Sequence, residues 1–381
     1  MNWKRIALSF FVILFVLGAC QAPQESIESV IISQAEMKAF ADSFFSMKID
    51  EYNIPGLVFI FVENGDVLYS QSYGYADLQG LVPLDADSTV MRIGSVSKSF
   101  VATAVMQLVE RGMLDLHQDI NQYLEAFQIN YTFSKPVTLA HLLTHTAGFE
   151  DPPYVSNTDP SKVQSLDKYL AENFPPPKYA PGDEFIYSNY GYALAGLIVE
   201  KVSGIPFDQY VEQNIFQPLD MTHSSYLLAP PIPSNLATGY SYQEVEQIPQ
   251  PVDYDSDYPG GSIISTAEEM SHFMLAHLQD GCYESSCILM SETLVEMHTP
   301  QAKTPYEDQN VAYGFVEGVE RGVRLIGHSG AIRGFGNSLN LLPSYDMGYF
   351  ISFNAECYET SACQIISDFR QELIDRFMYK E

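Results

Sequence analysis

The first third of the chain alternates between helical and strand patterns. Apolar residues recur at helical spacing over residues 32–47, which predicts a helix with one buried face. Residues 57–62 and 67–73 flank Glu63-Asn64-Gly65-Asp66, and such a turn sequence between two predicted strands is typical of a β-hairpin. A second amphipathic helix is predicted from one apolar face, which is formed by Phe100, Val101, Ala104, Val105, Leu108 and Val109. We expect this helix to end near Gly112.

The rest of the chain is irregular in the middle and rich in strands near its end. From about residue 115 to 265, prolines interrupt helical pieces at residues 139–144 and 190–202. Further on, the pattern predicts a final helix over residues 362–378, preceded by strands at residues 314–317, 323–326, 338–342 and 349–353. We therefore expect an α/β (α+β) fold, in which the hairpin and the late strands share a central sheet and the middle forms a second, mostly helical lobe.

Residues 1–19 have the pattern of an export signal. Lys4 and Arg5 precede the apolar residues 6–17, a run too short to span a membrane comfortably. The sequence Leu17-Gly18-Ala19-Cys20 resembles the end of a bacterial lipoprotein signal, in which Cys20 is lipidated; an ordinary signal peptide with a chance cysteine is the alternative. We expect an exported protein of the cell envelope, anchored to a membrane through Cys20, with a tether over residues 20–33 and one folded domain over residues 34–378.

The composition is that of an acidic globular protein. Its 381 residues include 19 Lys and Arg against 48 Asp and Glu, which gives a net charge of −29. Nucleic acid is not expected as a partner, because no basic surface is available to neutralise phosphates. Residues 202–302 hold 14 acidic residues and no Lys or Arg. This stretch is either a solvated surface or the rim of a cleft that favours cationic or neutral ligands.

Four cysteines remain when Cys20 is set aside. They lie in two similar segments, Cys282-Tyr-Glu-Ser-Ser-Cys287 and Cys357-Tyr-Glu-Thr-Ser-Ala-Cys363. An even number of cysteines in an exported domain favours disulfides. We predict one local disulfide within each segment, although four cysteines permit three pairings.

Two motifs suggest a chemistry that their context does not support. Gly327-His328-Ser329-Gly330-Ala331 has the G-x-S-x-G pattern of a nucleophile elbow, which needs a histidine downstream of the serine. All histidines lie at or before residue 328, so Ser329 has no such partner. His141 and His145 are spaced for one helix face, but the glutamate of the zincin motif H-E-x-x-H is missing. We expect buried structural histidines there, no metal site and no cofactor.

Ser95-Val96-Ser97-Lys98 is a stronger candidate for catalysis. The two outer residues are one helical turn apart at the start of the second predicted helix. A serine at a helix N-terminus lies in positive potential, and a desolvated lysine gives up its proton more easily. Lys98 is therefore a candidate general base for a Ser95 nucleophile. A capping serine and an exposed lysine would show the same spacing.

The Ser95 motif lies in the first of six segments that follow one another along the chain. They are Met91-Arg-Ile-Gly-Ser95-Val-Ser-Lys98-Ser-Phe100, Thr138-Leu-Ala-His-Leu-Leu-Thr-His-Thr-Ala-Gly148, Tyr179-Ala-Pro-Gly182, Tyr187-Ser188-Asn189, Gly260-Gly261-Ser-Ile-Ile-Ser-Thr-Ala267 and His328-Ser329-Gly330. This ordered set resembles the serine β-lactamases and penicillin-binding proteins. The resemblance covers residues 35–378 and is closest to the branch of class C β-lactamases, D-alanyl-D-alanine carboxypeptidases, D-aminopeptidases and related esterases. It implies an antiparallel sheet flanked by helices, with the active site between sheet and helical lobe.

The resemblance also implies a role for each site residue. Ser95 would form the acyl-enzyme, with Lys98 and Tyr187 as the two proton carriers, either of which could be the base. Asn189 would bind Lys98 or substrate. The backbone N–H groups of Ser95 and Ala331 would form the oxyanion hole.

The third element departs from the Lys-Thr-Gly sequence of many relatives. His328 replaces a permanent cation with a group that is mostly neutral at pH 7, while Gly330 would allow close approach of the backbone. We expect weak recognition of substrate carboxylates, unless Arg333 reaches the site. The expected activity is serine hydrolysis of a small ester, amide or D-amino-acid peptide-like substrate. The alternatives are a β-lactamase or carboxypeptidase, and a non-catalytic sensor of cell-wall peptides or β-lactams. The oligomeric state is left open.

Overall fold

The computed structural model describes residues 30–379, with the exception of 126, 131–132, 154–156 and 358–359. The predicted signal and Cys20 lie outside the described residues. Within those ranges, no helix combines the length and the apolar character needed to cross a membrane.

The described part of the chain folds into helices and strands. The helices are α1 (Gln34–Glu51), α2 (Ser97–Glu110), α3 (Leu139–Leu143), α4 (Leu166–Glu172), α5 (Asn189–Ser203), α6 (Phe207–Val211), α7 (Ala267–Leu278), α8 (Ser291–His298) and α9 (Gln364–Leu373). The strands are β1 (Gly56–Glu63), β2 (Asp66–Asp77), β3 (Val82–Pro83), β4 (Met91–Arg92), β5 (Ser225–Tyr226), β6 (Tyr240–Gln243), β7 (Glu246–Pro249), β8 (Ile263–Ser265), β9 (Cys282–Tyr283), β10 (Ser286–Cys287), β11 (Ala302–Lys303), β12 (Gln309–Val311), β13 (Val316–Glu320), β14 (Val323–Ile332), β15 (Phe335–Leu342) and β16 (Met347–Phe353).

The central sheet confirms the predicted fold class. Among the described residues it has nine strands in the order β11-β12-β13-β14-β15-β16-β1-β2-β3. Every neighbouring pair is antiparallel. The N-terminal hairpin β1–β2 thus joins the C-terminal strands through the β1–β16 pairing, as the sequence predicts.

Strand β1 separates two hydrophobic cores. Its side chains alternate between the two faces of the sheet, and all eight residues are buried. Leu57, Phe59 and Phe61 pack against α1 and α9. Val58, Ile60 and Val62 belong to the larger core on the opposite face. This side also holds α2 and α7, together with α5, which contacts α2, α3, α4 and α6.

Several element boundaries differ from the sequence prediction. Helix α1 begins at Gln34 because Ser33 and Glu36 form a capping box. The helix predicted over residues 362–378 is α9 followed by a wider π turn at Ile374–Met378. The strand predicted to begin at residue 314 begins at Val316, because Gly314 has a φ of +79° and lies directly against α2.

Both predicted local disulfides are present. Cys282–Cys287 joins the paired strands β9 and β10, and Cys357–Cys363 closes the loop before α9.

A buried ion pair ties β4 to the loop after β7. Arg92 is 2% exposed and Asp253 is fully buried. The Arg92 guanidinium donates to the Asp253 carboxylate and, over 3.2 Å, to the Asp253 carbonyl oxygen. Arg333 lies on the other side of this carboxylate, with its Nε 3.7 Å from Oδ2. Asp253 therefore fixes the strand that leads into the Ser95 turn.

Asp253→Asn should lower the free energy of unfolding by about 3 kcal/mol, because it leaves the buried Arg92 charge without its counter-ion. Urea denaturation measures this loss. Glu150→Gln is the control, since it removes a carboxylate from the exposed Glu150–Lys178 pair and should leave the urea midpoint unchanged. An equal response of the two variants would contradict a structural role for Asp253.

Candidate active site

Ser95 lies on a tight turn at the start of α2. The turn is a 3₁₀ segment, Gly94–Val96, followed directly by Ser97 of α2. Gly94 has a φ of +53°, and a Cβ at this position would lie 3.1 Å from backbone atoms of Ala331. The glycine thus allows the Ser95 turn to approach the end of β14.

Lys98 is fully buried below Ser95. Its Nζ lies 2.7 Å from Asn189 Oδ1, 2.9 Å from the Gly260 carbonyl oxygen and 3.0 Å from Ser95 Oγ. The first two oxygens can only accept hydrogen bonds, whereas the serine hydroxyl can also donate one. A neutral amine would donate to the two carbonyl oxygens and point its lone pair at the Ser95 hydroxyl. The arrangement therefore suits proton transfer from Ser95 to Lys98.

Tyr187 lies over Lys98 and on a buried histidine. Its ring centre is 5.0 Å from Lys98 Nζ, and the ring stacks on His145 with 4.3 Å between ring centres. His145 Nδ1 accepts a hydrogen bond from the Ser188 backbone N–H over 3.0 Å. Burial, and secondarily the Lys98 charge, keep the pKa of His145 well below its ordinary value. His145 is therefore a neutral packing surface for Tyr187 at pH 7, in line with the structural role expected from sequence.

Asp151 holds the segment that carries Tyr187 and Asn189, and the sequence analysis missed it. Its Oδ2 accepts from the Asn189 N–H over 2.7 Å. Its Oδ1 accepts from the Ser188 hydroxyl over 2.7 Å and the Tyr190 N–H over 3.0 Å. These bonds satisfy donors at the start of α5. A single aspartate in an irregular loop shows no pattern that would reveal this contact.

His328 is buried on β14, opposite Tyr187. Its Nδ1 lies 2.6 Å from the Ser329 carbonyl oxygen, which only accepts, so Nδ1 carries the proton and Nε2 is an acceptor. Burial, followed by the Lys98 charge, lowers the pKa of His328 to about 4. His328 is therefore neutral at pH 7 and does not replace the cation of Lys-Thr-Gly relatives.

Gly330 and Ala331 bring β14 against the Ser95 turn. A Cβ at Gly330 would lie 2.1 Å from the Ile93 carbonyl oxygen and 3.2 Å from the Ser95 nitrogen. Only glycine permits this approach. Arg333 follows in the β14–β15 turn, close to the buried Asp253.

One cavity of about 1520 Å³ brings these residues together. Residues from the base-free stretch 202–302 form part of its wall, including Tyr242, Asp255 and Asp257. The predicted site residues that line it are Ser95, Tyr187, Asn189, His328, Gly330, Ala331 and Arg333. His141, by contrast, bonds to Thr138 at the start of α3. Among the described residues, no group of three or more His, Cys, Asp or Glu side chains is arranged to hold a metal.

Comparison with known proteins agrees with this geometry. The family profile described as Beta-lactamase matches residues 37–363. The chain belongs to the beta-lactamase family. Together with the relatives and solved structures below, this match supports a superfamily of serine hydrolase type.

Two curated relatives are about a quarter identical to this chain over the aligned residues. Protein flp from Staphylococcus aureus strain N315 is 26% identical over 316 residues, which cover 82% of this chain and 62% of flp. Penicillin-binding protein 4* from Bacillus subtilis strain 168 is 27% identical over 293 residues, which cover 72% of this chain and 62% of the relative. The chain thus spans less than two thirds of the length of either relative.

Two solved structures share the fold. The octameric penicillin-binding protein homologue from Pyrococcus abyssi superposes with a TM-score of 0.77 at 26% identity, covering 88% of this chain and 77% of the other. A penicillin binding protein from Bacillus halodurans gives a TM-score of 0.71 at 25% identity, covering 86% of this chain and 98% of the other.

Asp151→Asn should lower kcat by up to about 100-fold, because the new amide group points a donor at the Asn189 N–H and displaces Asn189 and Tyr187. Ester hydrolysis should show a loss in kcat larger than any rise in KM. Asp159→Asn is the matched control, since Asp159 caps the remote 3₁₀ turn Pro160–Lys162 in the same way. Equal kcat values for Asp151→Asn and the wild type would contradict this positioning role.

Proposed function

We propose that this protein is an exported serine hydrolase that forms an acyl-enzyme on Ser95, acting on a small ester, amide or D-amino-acid peptide-like substrate. The contact that carries the proposal is the 3.0 Å separation between Ser95 Oγ and the buried Lys98 Nζ. Asn189 and Gly260 occupy the other bonding directions of the amine. A protein that only binds peptides has no need for a serine and a lysine arranged in this way.

The proposed reaction has two half-reactions. Ser95 Oγ attacks the substrate carbonyl carbon and loses its proton, and the backbone N–H groups of Ser95 and Ala331 stabilise the negative charge on the carbonyl oxygen. The tetrahedral intermediate collapses when the bond to the leaving group breaks and the leaving group takes up a proton. Lys98 and Tyr187 share these two proton transfers. Water then attacks the acyl-enzyme along the reverse proton path and regenerates Ser95.

The proposal includes export and attachment to a membrane through a lipid on Cys20. The lipoprotein-like signal supports it, and so do the two disulfides of the described domain, because disulfides persist in oxidising compartments.

A second candidate function is penicillin binding through a long-lived acyl-enzyme. It is favoured by the names of the Bacillus and Pyrococcus proteins described above. A labelled penicillin separates the two, because a hydrolase releases the label whereas a receptor retains it.

Ser95→Ala should reduce hydrolysis of p-nitrophenyl butyrate at least ~1000-fold, because no other group supplies the nucleophile. It should also abolish labelling by a fluorophosphonate probe. Ser329→Ala removes the other candidate serine, and the fluorophosphonate probe should still label this variant. Hydrolysis that persists in Ser95→Ala would refute the proposed function.

His328→Lys should improve recognition of substrates that carry a carboxylate, because it places a permanent cation where a neutral imidazole lies. We expect kcat/KM for a depsipeptide with a free terminal carboxylate to rise roughly 10-fold relative to its methyl ester. His328→Gln, which changes the side chain without adding charge, is the control and should leave this ratio near the wild-type value. An unchanged ratio in His328→Lys would show that His328 does not set the preference.

A further inference from the structure

Asp257 lies on the cavity wall, and its carboxylate forms no ion pair with any described residue. It lines the same cavity as Ser95, Tyr187 and Asn189. Within the described ranges it takes part in no ion pair, and its side chain has no hydrogen bond to another residue. Burial raises the pKa of its carboxyl above the ordinary value, although the Lys98 charge acts in the opposite direction.

The position of Asp257 relative to the nucleophile is set by the backbone. It directly precedes the 3₁₀ turn Tyr258–Gly260, and the Gly260 carbonyl oxygen accepts the bond from Lys98 Nζ. The Tyr258 ring packs against Phe207 and Tyr226 and anchors the start of the turn. Asp257 is thus held beside the catalytic amine instead of on a loose surface loop.

The other charges around Asp257 already have partners. Lys98 directs its amine to Ser95, Asn189 and Gly260. Asp151, which also acts electrostatically on Asp257, bonds to the start of α5. Asp257 is half-buried. A partly desolvated carboxylate without a counter-ion is costly, and a bound cation would lower that cost.

The opposite wall of the cavity does not favour anions. His328 is neutral at pH 7. The two arginines of the wall lie close to carboxylates, Arg333 beside Asp253 and Arg370 beside Glu320. A substrate cation would therefore meet a carboxylate at Asp257 that forms no ion pair within the described residues, and no unpaired arginine on the opposite wall.

We propose that Asp257 is a specificity-determining residue that binds an ammonium group of the substrate next to the scissile carbonyl. The substrate class is then an aminoacyl ester or amide with a free amino group. This inference rests on the proposed function, because it concerns the substrate of the Ser95 site.

The test compares two boronic acids that form reversible adducts with a nucleophilic serine. They are 3-(aminomethyl)phenylboronic acid and 3-ethylphenylboronic acid, which differ by an ammonium in place of a methyl group. Inhibition of p-nitrophenyl butyrate hydrolysis by the full chain gives both Ki values. The wild type should bind the ammonium compound at least roughly 10-fold more tightly, as expected for a charge-assisted hydrogen bond.

Asp257→Asn should reduce this preference about 10-fold, to a ratio of Ki values near one. Asp308→Asn is the matched control, because Asp308 is an exposed carboxylate at the rim of the same cavity, and it should keep the wild-type ratio. Its φ of +61° is one that asparagine also adopts.

Three results would overturn the inference: no ammonium preference in the wild type, an unchanged ratio in Asp257→Asn, or equal losses in the two variants. The wild-type comparison does not depend on the folding of any variant. Loss of Ser95 dependence in ester hydrolysis would instead refute the proposed function, and calorimetric titration of the two boronic acids would then test Asp257 separately.

Discussion

The site depends on the hydrogen bonds of the buried Lys98 amine. This amine joins three parts of the chain that are far apart in sequence: its own helix α2, Asn189 at the start of α5 and the Gly260 carbonyl oxygen. A buried amine without acceptors would be strongly destabilising. The packing of α2 against α5 and the Tyr258–Gly260 turn therefore has to preserve these bonds, and the same bonds direct the amine towards Ser95.

The fourth part of the site is the sheet, which approaches through glycines. Gly94 and Gly330 allow the Ser95 turn and β14 to lie closer than side chains would permit. The two hydrophobic cores on either side of β1 hold this sheet rigidly. Residues 328–332 of β14 extend beyond the pairing with β13 and lie against the start of α2. Such a well-packed strand end is suited to stabilise developing negative charge, because the backbone donors need no rearrangement.

The electrostatics of the cavity follow from burial as much as from composition. His145 and His328 are neutral because they are desolvated beside Lys98. Arg333 lies beside Asp253. The acidic excess of the chain therefore extends into the cavity, where Asp257 lines the wall together with Ser95.

The fold class and the elements near the two ends of the described domain could be predicted from the sequence alone. Periodicity and a turn sequence located α1, α2, α5 and the β1–β2 hairpin. The Ser95-x-x-Lys98 spacing, together with the family resemblance of the ordered motifs, selected Ser95, Lys98, Tyr187, Asn189 and His328 as candidates. The even number of cysteines and their grouping in two similar segments also led to the prediction of two local disulfides, both of which are present. These features depend on neighbours along the chain.

The partners of those residues become visible in the folded chain alone. Asp151 caps α5 from a loop, Gly260 accepts from Lys98 across 162 positions, and Asp253 pairs with Arg92 across 161 positions. No local pattern encodes such contacts, since they arise from how the cores bring remote backbone segments together. Local sequence likewise does not predict the neutral state of His328 or the raised pKa of Asp257. A pKa depends on burial and on charges that become neighbours only in the folded chain.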